Sequence, residues 1–450
     1  MAAQRTPNHP LRQAISATRW TYEALASAVR RVAAENGDVL RTNKSAVSHW
    51  VAGAEPSGQV SHYIAEAMSR RAGRRMTLAE LGFATPEESL ATSSDPVEAA
   101  ANLGRADVER RHFLAVAAFT TVGVAMPLTY DPEPVSRLLR ARTGSVQVGR
   151  EEIEVIRRIT AVFGAADELL GGGHGLTTVS AYLADTAAPM LSGRYRDEQT
   201  RREAFGAVAE LTYLAGWKHH DLGQEGAAQH YYQVGYQLAC EADPHGHAGW
   251  MMRALAHQAL SLKQPRNCAA LVENALNRSL GHVDGTTEAL LHITHARAFA
   301  ATGEKPAAAR SLLAAENALT RQADPQPSFS LASGPAAGTV ASHTARTLTD
   351  LGDHAGTEKQ HRAALLRWDA EKYKRVHALT YADLGDSLAA QARADEAVAT
   401  WSSALDLMDG VTSDRTQKAV SAMRPVLATY RRRRVPGAAD LERRIRDALT

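Results

Sequence analysis

A repeat of about 40 residues in the C-terminal half of the chain most restricts what this sequence can fold into. Successive turn positions lie 40, 40, 49 and 40 residues apart, and a Pro/Ser/Gly-rich insert, Asp324–Ala337, explains the longer interval. Self-similarity at a fixed period predicts stacked copies of one helical unit, an α-solenoid. The five turns are Leu222-Gly223, Leu262-Lys263, Thr302-Gly303, Leu351-Gly352 and Gln391-Ala392.

Small residues recur at fixed distances from each turn. Two antiparallel helices approach closely only where facing side chains are small, and larger side chains fill the gaps between neighbouring pairs. The pattern resembles the tetratricopeptide (TPR) repeat, lengthened from its usual length of about 34 residues. The small positions are Gly216, Ala256, Ala296, Ala345 and Gly385 in the first helices and Ala228, Cys268, Ala308, Thr357 and Ala397 in the second.

The repeat region is expected to span residues 150–412. Glu151–Leu169 and Thr177–Leu191 are predicted to add a helix pair at its start, and the Gly171–Gly175 run between them predicts a helix break. Residues 413–450 are expected to cap the end with helices at Ser413–Arg433 and Ala438–Ala448.

The formal charge is nearly balanced, +2 over 450 residues, but it is unevenly distributed. Residues 1–85 carry 11 Lys and Arg against six Asp and Glu, a net +5, which leaves −3 on the rest of the chain. A basic module on a slightly acidic body is expected where one part of a protein meets a polyanion, although a solvated basic face has the same composition.

Residues 1–83 are predicted to be a bundle of short helices. Thr21 and Thr42 are the predicted N-caps of the second and third helices. Within the third helix Val47, Trp50 and Val51 share one face, which predicts a buried seam. The predicted elements are Leu11–Ala17, Tyr22 to about Ala34, Asn43–Ala52, Ser61–Ala72 and a turn at Thr77–Leu81.

This head resembles the Cro/repressor type of helix-turn-helix through Glu23–Ala26, Ser45–Gly53 and Pro56, with about ten additional residues, Arg30–Arg41, before the third helix. The resemblance implies that the third helix enters the major groove of double-stranded DNA, where Lys and Asn bond to base edges and Ser and Thr reach phosphates. One short helix reads a half-site, so a homodimer is expected. An ordinary helical bundle is the alternative. The predicted DNA-binding residues are Thr21, Thr42, Asn43, Lys44, Ser45, Ser48 and His49.

Residues 84–107 have the composition of a linker, and 108–149 are expected to hold linking or dimerisation helices. Arg110-Arg111 opens an uncharged run to Leu128 that imitates a twin-arginine export signal. The run is shorter than the roughly 20 residues of a membrane helix, which favours a buried or dimer-interface helix over a membrane role.

Over nearly its full length the chain resembles the actinobacterial helix-turn-helix/TPR regulators connected with Streptomyces differentiation and antibiotic production. The resemblance implies a cytoplasmic transcriptional regulator, and the presence of only two cysteines agrees with a reducing compartment. The layout is also similar to the peptide-pheromone receptors of Gram-positive bacteria, in which a TPR array senses a signal and repositions a DNA-binding head. Besides the head, the residues that carry the resemblance are Gly171–Gly175, Leu214–Trp217, Asp221–Gly223, Ala227–Gln229, Ala256–Ala259 and Pro265.

In a TPR superhelix the first helix of each pair lines the concave face, so its outward side chains are candidates for contact with a peptide, small-molecule or protein ligand. Aromatic rings supply flat contact area, and Arg supplies forked donors for acidic groups. Ordinary inter-helix packing is the alternative for Trp217 and Trp250. The outward positions include Glu210, His220, Asp383 and Asp386, and the predicted ligand-binding residues are Tyr213, Trp217, Arg253, His257, Arg297 and Arg346.

The sequence contains 44% hydrophobic and 22% charged residues, which excludes collagen-like, disordered and disulfide-stapled chains. It shows no nucleophile–base pair or nucleotide fingerprint, and its 18 histidines lack partners at ligand spacing, so no enzyme, metal or cofactor is expected. The expected protein is all-α, a helix-turn-helix bundle followed by a TPR-like α-solenoid, that acts as a ligand-gated DNA-binding regulator. The alternative is a TPR interaction scaffold without specific DNA binding.

Overall fold

The computed structural model describes residues 7–35, 38–56, 60–72, 76–78, 80–83, 95–109, 147–321 and 326–448, and these are mostly helical. The predicted all-α, solenoid-like class is confirmed. Two compact units divide the described residues: the first holds those up to Ile156 together with Thr177–Ala242, and the second holds Arg157–Leu176 and the residues from Asp243 onward.

The head, within the first unit, is a helical bundle around one apolar core. Leu25, Val29, Val47 and Ile64 are fully buried in that core. The predicted helices are confirmed, with ends that differ by at most two residues from those expected. They are α1 (His9–Ala17), α2 (Tyr22–Glu35), α3 (Lys44–Val51) and α4 (Val60–Ala72).

The cap of α3 differs from the prediction. Asn43, and not Thr42, is the N-cap, because the Asn43 side chain accepts a hydrogen bond from the N–H of Ala46 at 3.0 Å. Thr42 is buried just before the helix. Asn and Thr are both good caps, so their preference alone did not locate the first residue of the helix.

The described part of the predicted linker contains a helix, α5 (Pro96–Glu109). Asp95 precedes it and accepts from the N–H of Val97 at 2.9 Å. Most of its apolar side chains are buried rather than exposed, among them Ala100 and Leu103. A segment that is rich in alanine has the composition of a linker but also suits a helix that packs closely, and here it packs.

The rest of the first unit contains one long helix pair, Glu198–Asp221 and Glu225–Ala242, packed on each other. A parallel pair of short strands joins Gln147 to Arg194 and Val148 to Tyr195. α6 begins in this unit, and its residues from Arg157 onward belong to the second. The elements are β1 (Gln147–Val148), α6 (Arg150–Leu170), α7 (Leu176–Tyr182), a π-helical turn (Leu183–Ala187), α8 (Ala188–Met190), β2 (Arg194–Tyr195), α9 (Glu198–Asp221) and α10 (Glu225–Ala242).

The second unit is a series of helices packed in consecutive pairs, in which each helix contacts the next along the chain. The predicted cap helices are present at its end. The elements are α11 (Gly246–Ser261), α12 (Pro265–Ser279), α13 (Gly285–Ala301), α14 (Lys305–Leu319), a 3-10 helix (Ser328–Ser333), α15 (Ala336–Leu351), α16 (His354–Leu365), α17 (Lys374–Ala390), α18 (Ala394–Met408), α19 (Asp414–Arg432) and α20 (Ala438–Ala448).

The repeat predicted from the turns is present in the backbone. The second residue of every predicted turn has a positive φ, between 60° and 83°. In each turn the next N–H bonds back to a carbonyl five residues earlier, at 2.8 to 3.0 Å, which ends the first helix of the pair in the same way each time. The five residues are Gly223, Lys263, Gly303, Gly352 and Ala392.

The predicted close contacts are confirmed by burial. Ala256, Ala296 and Ala345 have no exposed surface. At Gly216 an added Cβ would lie 2.8 Å from the ring of Tyr232, and at Gly385 it would overlap the ring of Trp401. The large residues of the second helices therefore fill the space that the small residues of the first helices leave.

Three further observations concern local features. Gly171 and Gly175 have positive φ and follow the end of α6, so the predicted helix break is confirmed. Cys240 and Cys268 are buried free thiols. Among the described residues no helix combines the length and the apolar character that crossing a membrane requires. The segment at Arg110-Arg111 and nearly all of 108–149 lie outside the described residues.

Candidate functional site

The third helix of the head presents a short polar surface to solvent. Its opposite side is fixed in the core by Val47 and Trp50, which are 0% and 7% exposed. Because a helix places residues three and four apart on the same side, burial of this seam turns the remaining polar residues outward. We define the α3 face as the exposed residues Asn43, Lys44, Ser45, Ser48 and His49.

The connection before α3 is held on both sides. The Arg30 guanidinium donates to the carbonyl of Thr42, immediately before the helix. The Tyr63 hydroxyl of α4 donates to the Asp38 carboxylate at 2.5 Å, and burial together with this contact raises the pKa of Tyr63. α2 continues to Glu35, so about half of the predicted insertion is helical. The two side-chain hydrogen bonds tie the residues before α3 to α2 and α4.

The remaining two predicted DNA-binding residues have other surroundings. Thr21 is exposed, and its hydroxyl accepts from the N–H of Ala24 at 3.1 Å, which confirms it as the cap of α2. Thr42 is only 9% exposed, so most of its surface is covered by the head itself.

The N-terminal end of α3 favours an anion. The free N–H groups of a first turn and the helix dipole both attract negative charge, and Lys44 adds a full positive charge at this end. Arg41 is exposed just before it, and Arg31 is exposed on α2.

Two of the predicted ligand-binding residues, Tyr213 and Trp217, lie together on α9 in the first unit. Their rings are stacked with centroids 6.4 Å apart, and Tyr213 also stacks on Tyr232 of α10 at 5.7 Å. Tyr213 is 7% exposed. These rings pack one helix of the pair on the other.

The other four predicted ligand-binding residues are all in the second unit. Arg253 is buried, with Nε donating to the Leu290 carbonyl at 3.0 Å and Nη1 donating to Ser333 Oγ at 3.2 Å. The ring of His257 lies 4.7 Å from the ring of His343 of α15, tilted by 46°. Both residues thus connect α11 to neighbouring segments.

Arg297 and Arg346 line a cavity of about 600 Å³, which we call the unit 2 cavity. This volume lies within the range of roughly 300–1,000 Å³ that is usual for small-molecule sites. Lys263, at the turn after α11, is the third basic residue in its wall. The acidic residues of the wall are Asp350 of α15 and Asp383 and Asp386 of α17.

The charges of the cavity are only partly matched to one another. Arg346 Nε donates to Asp383 Oδ2 at 2.9 Å, and this pairing lowers the pKa of Asp383 although burial opposes the shift. Burial and the negative charge of Asp383 raise the pKa of Asp386 to about 6. Burial and the positive charge of Arg346 lower the pKa of Arg297 to about 10. Burial is the larger cause of the latter two shifts, because it disfavours the charged form of each group.

Several polar atoms of the cavity wall make no hydrogen bond with any described residue. They are Nε of Arg297, Nδ1 of His354 and both ring nitrogens of His361. His361 is 1% exposed, and burial lowers its pKa to about 4, so at neutral pH it is an uncharged ring with one donor and one acceptor. Buried polar atoms normally have a partner, so these four atoms are candidates for contact with a water molecule or a ligand.

Sequence reasoning identified part of this wall. Asp383 and Asp386 were outward positions of a first helix but were not selected, because aromatic and Arg residues were preferred. His361 occupies a packing position of a second helix, and only its burial beside a cavity reveals its free nitrogens. Its departure from the apolar residues at matching positions, such as Val272 and Leu312, was the signal available.

Histidines that lie close together in the sequence could suggest a metal site, but in the structure they contact other side chains. His219 contacts Gln224 and Asp107, and His245 stacks on His282 at 4.2 Å. Within the described ranges no group of three or more His, Cys, Asp or Glu residues is arranged to hold a metal ion.

Comparison with known proteins matches one part of the chain. A family model described as the SP15 N-terminal domain matches residues 11–84, which are the head. No curated protein matches the chain. The head is thus similar to a recognised domain that ends where the bundle ends.

Proposed function

We propose that this protein is a DNA-binding transcriptional regulator of the helix-turn-helix/TPR kind, whose repeat region senses a ligand. The observation that carries the proposal is the α3 face, a set of small polar and basic side chains held outward by a buried Val47/Trp50 seam. A helix of this kind fits the major groove, where Lys and Asn bond to base edges and Ser reaches phosphates.

The charge distribution supports the same function. The basic head brings positive charge to a polyanion, while the remainder of the chain is slightly acidic. α3 has only eight residues and therefore reads few base pairs, so we propose a homodimer on two half-sites.

The interior of the second unit supports a sensing role for the repeats. The wall of the unit 2 cavity contains buried polar atoms without hydrogen-bond partners. Each unsatisfied buried polar group costs about 1–3 kcal/mol, and a bound ligand that supplies the partners removes this cost. Regulation in differentiation or secondary metabolism follows from the family resemblance of the sequence and is part of the proposal.

The proposal is tested by selecting sequences from a pool of random duplexes with the full-length protein, and by measuring fluorescence anisotropy on the selected duplex at two salt concentrations. Specific binding is expected to weaken with salt, because phosphate contacts release counterions. Lys44→Ala and Ser48→Ala are expected to lose about 1–3 kcal/mol of binding free energy each.

Lys359→Ala is the matched control, because Lys359 is an exposed lysine of α16 that carries the same charge far along the sequence. It should bind as the wild type does. If no sequence is enriched, or if the Lys44 and Ser48 variants bind like the control, the α3 face does not read DNA.

A further inference from the structure

Arg297 lines the unit 2 cavity without an acceptor of its own. Its Nε is buried, and among the described residues its guanidinium makes no hydrogen bond and no ion pair. The nearby carboxylates of Asp350 and Asp383 act on it only through their charge. A guanidinium has five N–H donors in a planar fork, and here all of them remain available to an acceptor in the cavity.

The other charges near Arg297 do not satisfy it. Arg297, Lys263 and Arg346 all lie close to the Asp350 carboxylate, because their positive charges oppose the rise in its pKa that burial causes. Asp383 is held by Arg346, whose Nε donates to it at 2.9 Å. Lys263 and Asp350 are exposed and therefore remain solvated. Among these groups Arg297 is the one whose charge is covered by protein and has no partner.

The remaining acid of the cavity wall, Asp386, has a different neighbour. It accepts a hydrogen bond from Trp401 Nε1 at 3.1 Å. The acid of α17 that acts on Arg297 is Asp383, which is already paired. Positive charge is thus in excess in the part of the wall that contains Arg297.

Uncharged polar atoms of the same wall exclude an apolar occupant. Both ring nitrogens of His361 and Nδ1 of His354 have no hydrogen-bond partner among the described residues, and His361 is 1% exposed. An apolar molecule in the cavity would keep these atoms and the Arg297 guanidinium from water without giving them a partner, and that loss is unfavourable. The cavity therefore suits a polar occupant.

We propose that the unit 2 cavity binds a small organic anion, whose carboxylate or phosphate group lies against Arg297 and Lys263. Both groups carry paired anionic oxygens that accept from the two arms of a guanidinium. A cavity of about 600 Å³ has room for an organic acid or a phosphate ester. The proposal rests on the sensing role proposed above only in calling this anion a signal; the binding itself does not depend on DNA.

The test is calorimetric titration of the full-length protein in a Tris chloride buffer, which contains no oxyanion to compete. The carboxylate probes are acetate, succinate and citrate, and the phosphate probes are glycerol phosphate and glucose phosphate. Acetamide, succinamide, glycerol and glucose are the uncharged counterparts. At least one anion is expected to bind, with its uncharged counterpart about tenfold or more weaker. The series that contains the tightest probe distinguishes a carboxylate ligand from a phosphate ester.

Variants of the two basic residues locate the site. Arg297→Gln is expected to weaken binding of the tightest probe about tenfold or more, and Arg297→Lys, which keeps the charge but not the fork, to weaken it less. Arg310→Gln makes the same change at an exposed position of α14 and should bind as the wild type does. Lys263→Gln changes an exposed side chain, so it is expected to fold even if the Arg297 variants do not, and to weaken binding about threefold or more.

The inference is overturned if no carboxylate or phosphate probe binds, if the uncharged counterparts bind as tightly as the anions, or if the Arg297 and Lys263 variants bind like the Arg310 control. These outcomes leave the DNA-binding experiment unaffected, because that experiment reads the α3 face in the absence of any probe. A failure to bind DNA, in turn, leaves the calorimetric result standing.

Discussion

The head and the second unit place their polar candidate residues in opposite environments. In the head, Lys44 and Ser48 are exposed over an apolar seam. In the second unit, Arg253 and His361 are buried, and the polar atoms face other protein groups or a cavity.

The difference follows from the size of the molecule that each region binds in the proposed function. A DNA duplex is larger than the head, so a convex helix with solvated side chains meets it without an enclosure. A small ligand has little surface, so a wall must surround it and remove it from water. Burial of charge is costly, and the second unit balances that cost with ion pairs and with stacked and hydrogen-bonded rings.

The largest expected effect on stability comes from a buried ion pair of the second unit. Arg375 Nη2 lies 2.6 Å from Asp167 Oδ2, and their side chains are 1% and 2% exposed. Arg375→Met keeps much of the volume but removes the guanidinium from a buried carboxylate, so we expect a loss of about 3–5 kcal/mol. The measurement is urea unfolding of the full-length chain, with hydrogen exchange to locate the change in α17.

Arg443→Met is the control for this comparison. Arg443 pairs with Asp440 on α20, and both side chains are more than half exposed. The exposed pair is expected to contribute no more than about 1 kcal/mol. Equal losses of stability in the two variants would mean that the buried Arg375–Asp167 pair contributes no more than the exposed Arg443–Asp440 pair.

The second expected effect is a loss of stability of the second unit in acid. Burial lowers the pKa of His247 to about 3 and that of His361 to about 4, below the ordinary value of 6.5. Below pH 6.5 the unfolded chain takes up protons that the folded rings do not, so stability falls as the pH falls from 6.5 toward the folded values. At pH 5 each ring is expected to cost about 2 kcal/mol relative to pH 7.

His247→Gln tests this assignment by removing one titrating ring. His247 packs against Phe329 and Trp250, with Asp243 and Arg157 as its charged neighbours. The free energy of unfolding is measured by urea at pH 7 and at pH 5, and the variant is expected to lose about 2 kcal/mol less than the wild type between the two. If the variant and the wild type lose the same free energy of unfolding between pH 7 and pH 5, His247 is already protonated or exposed in the folded protein.

Much of this fold is predictable because it depends on local rules. The 3.6-residue period placed Val47 and Trp50 in the head's core, and the fixed spacing of small residues identified Gly385 as a position of close helix contact. The helix at Pro96–Glu109 was missed, because its alanines bury only against a partner that the local sequence does not reveal. The cavity was only half anticipated for the same reason. Arg297 and Arg346 share a helix register, but whether the ring nitrogens of His361 find partners depends on the groups that the neighbouring helices bring near them.

The third expected effect concerns the repeated turns of the second unit. Lys263 and Ala392 adopt φ near 60°. Gly303 and Gly352 occupy the same position in the other two turns of this unit. An L side chain in this conformation costs roughly 1–2 kcal/mol, so Ala392→Gly is expected to stabilise the chain by about 1 kcal/mol. Gly352→Ala is expected to destabilise it by a similar amount. Nothing lies within 4 Å of a Cβ added at Gly352, so urea unfolding of this variant reports the backbone cost alone. A stabilising Gly352→Ala would contradict the assignment.

The smallest expected effect on stability belongs to the head's exposed face. Lys44→Ala removes a solvated side chain without a buried contact, so its free energy of unfolding should stay within about 0.5 kcal/mol of the wild type. Val47→Ala, one helical turn along α3, is expected to cost roughly 2 kcal/mol, because its side chain is fully buried. Urea unfolding measures both changes. On duplexes that vary one base pair of the selected site, Lys44→Ala should also lose discrimination at one position, because a bond to a base edge is lost. A Lys44 variant that unfolds as easily as the Val47 variant would mean that Lys44 supports the bundle, and the contrast between an outward-facing head and an inward-facing repeat unit would then fail at its central residue.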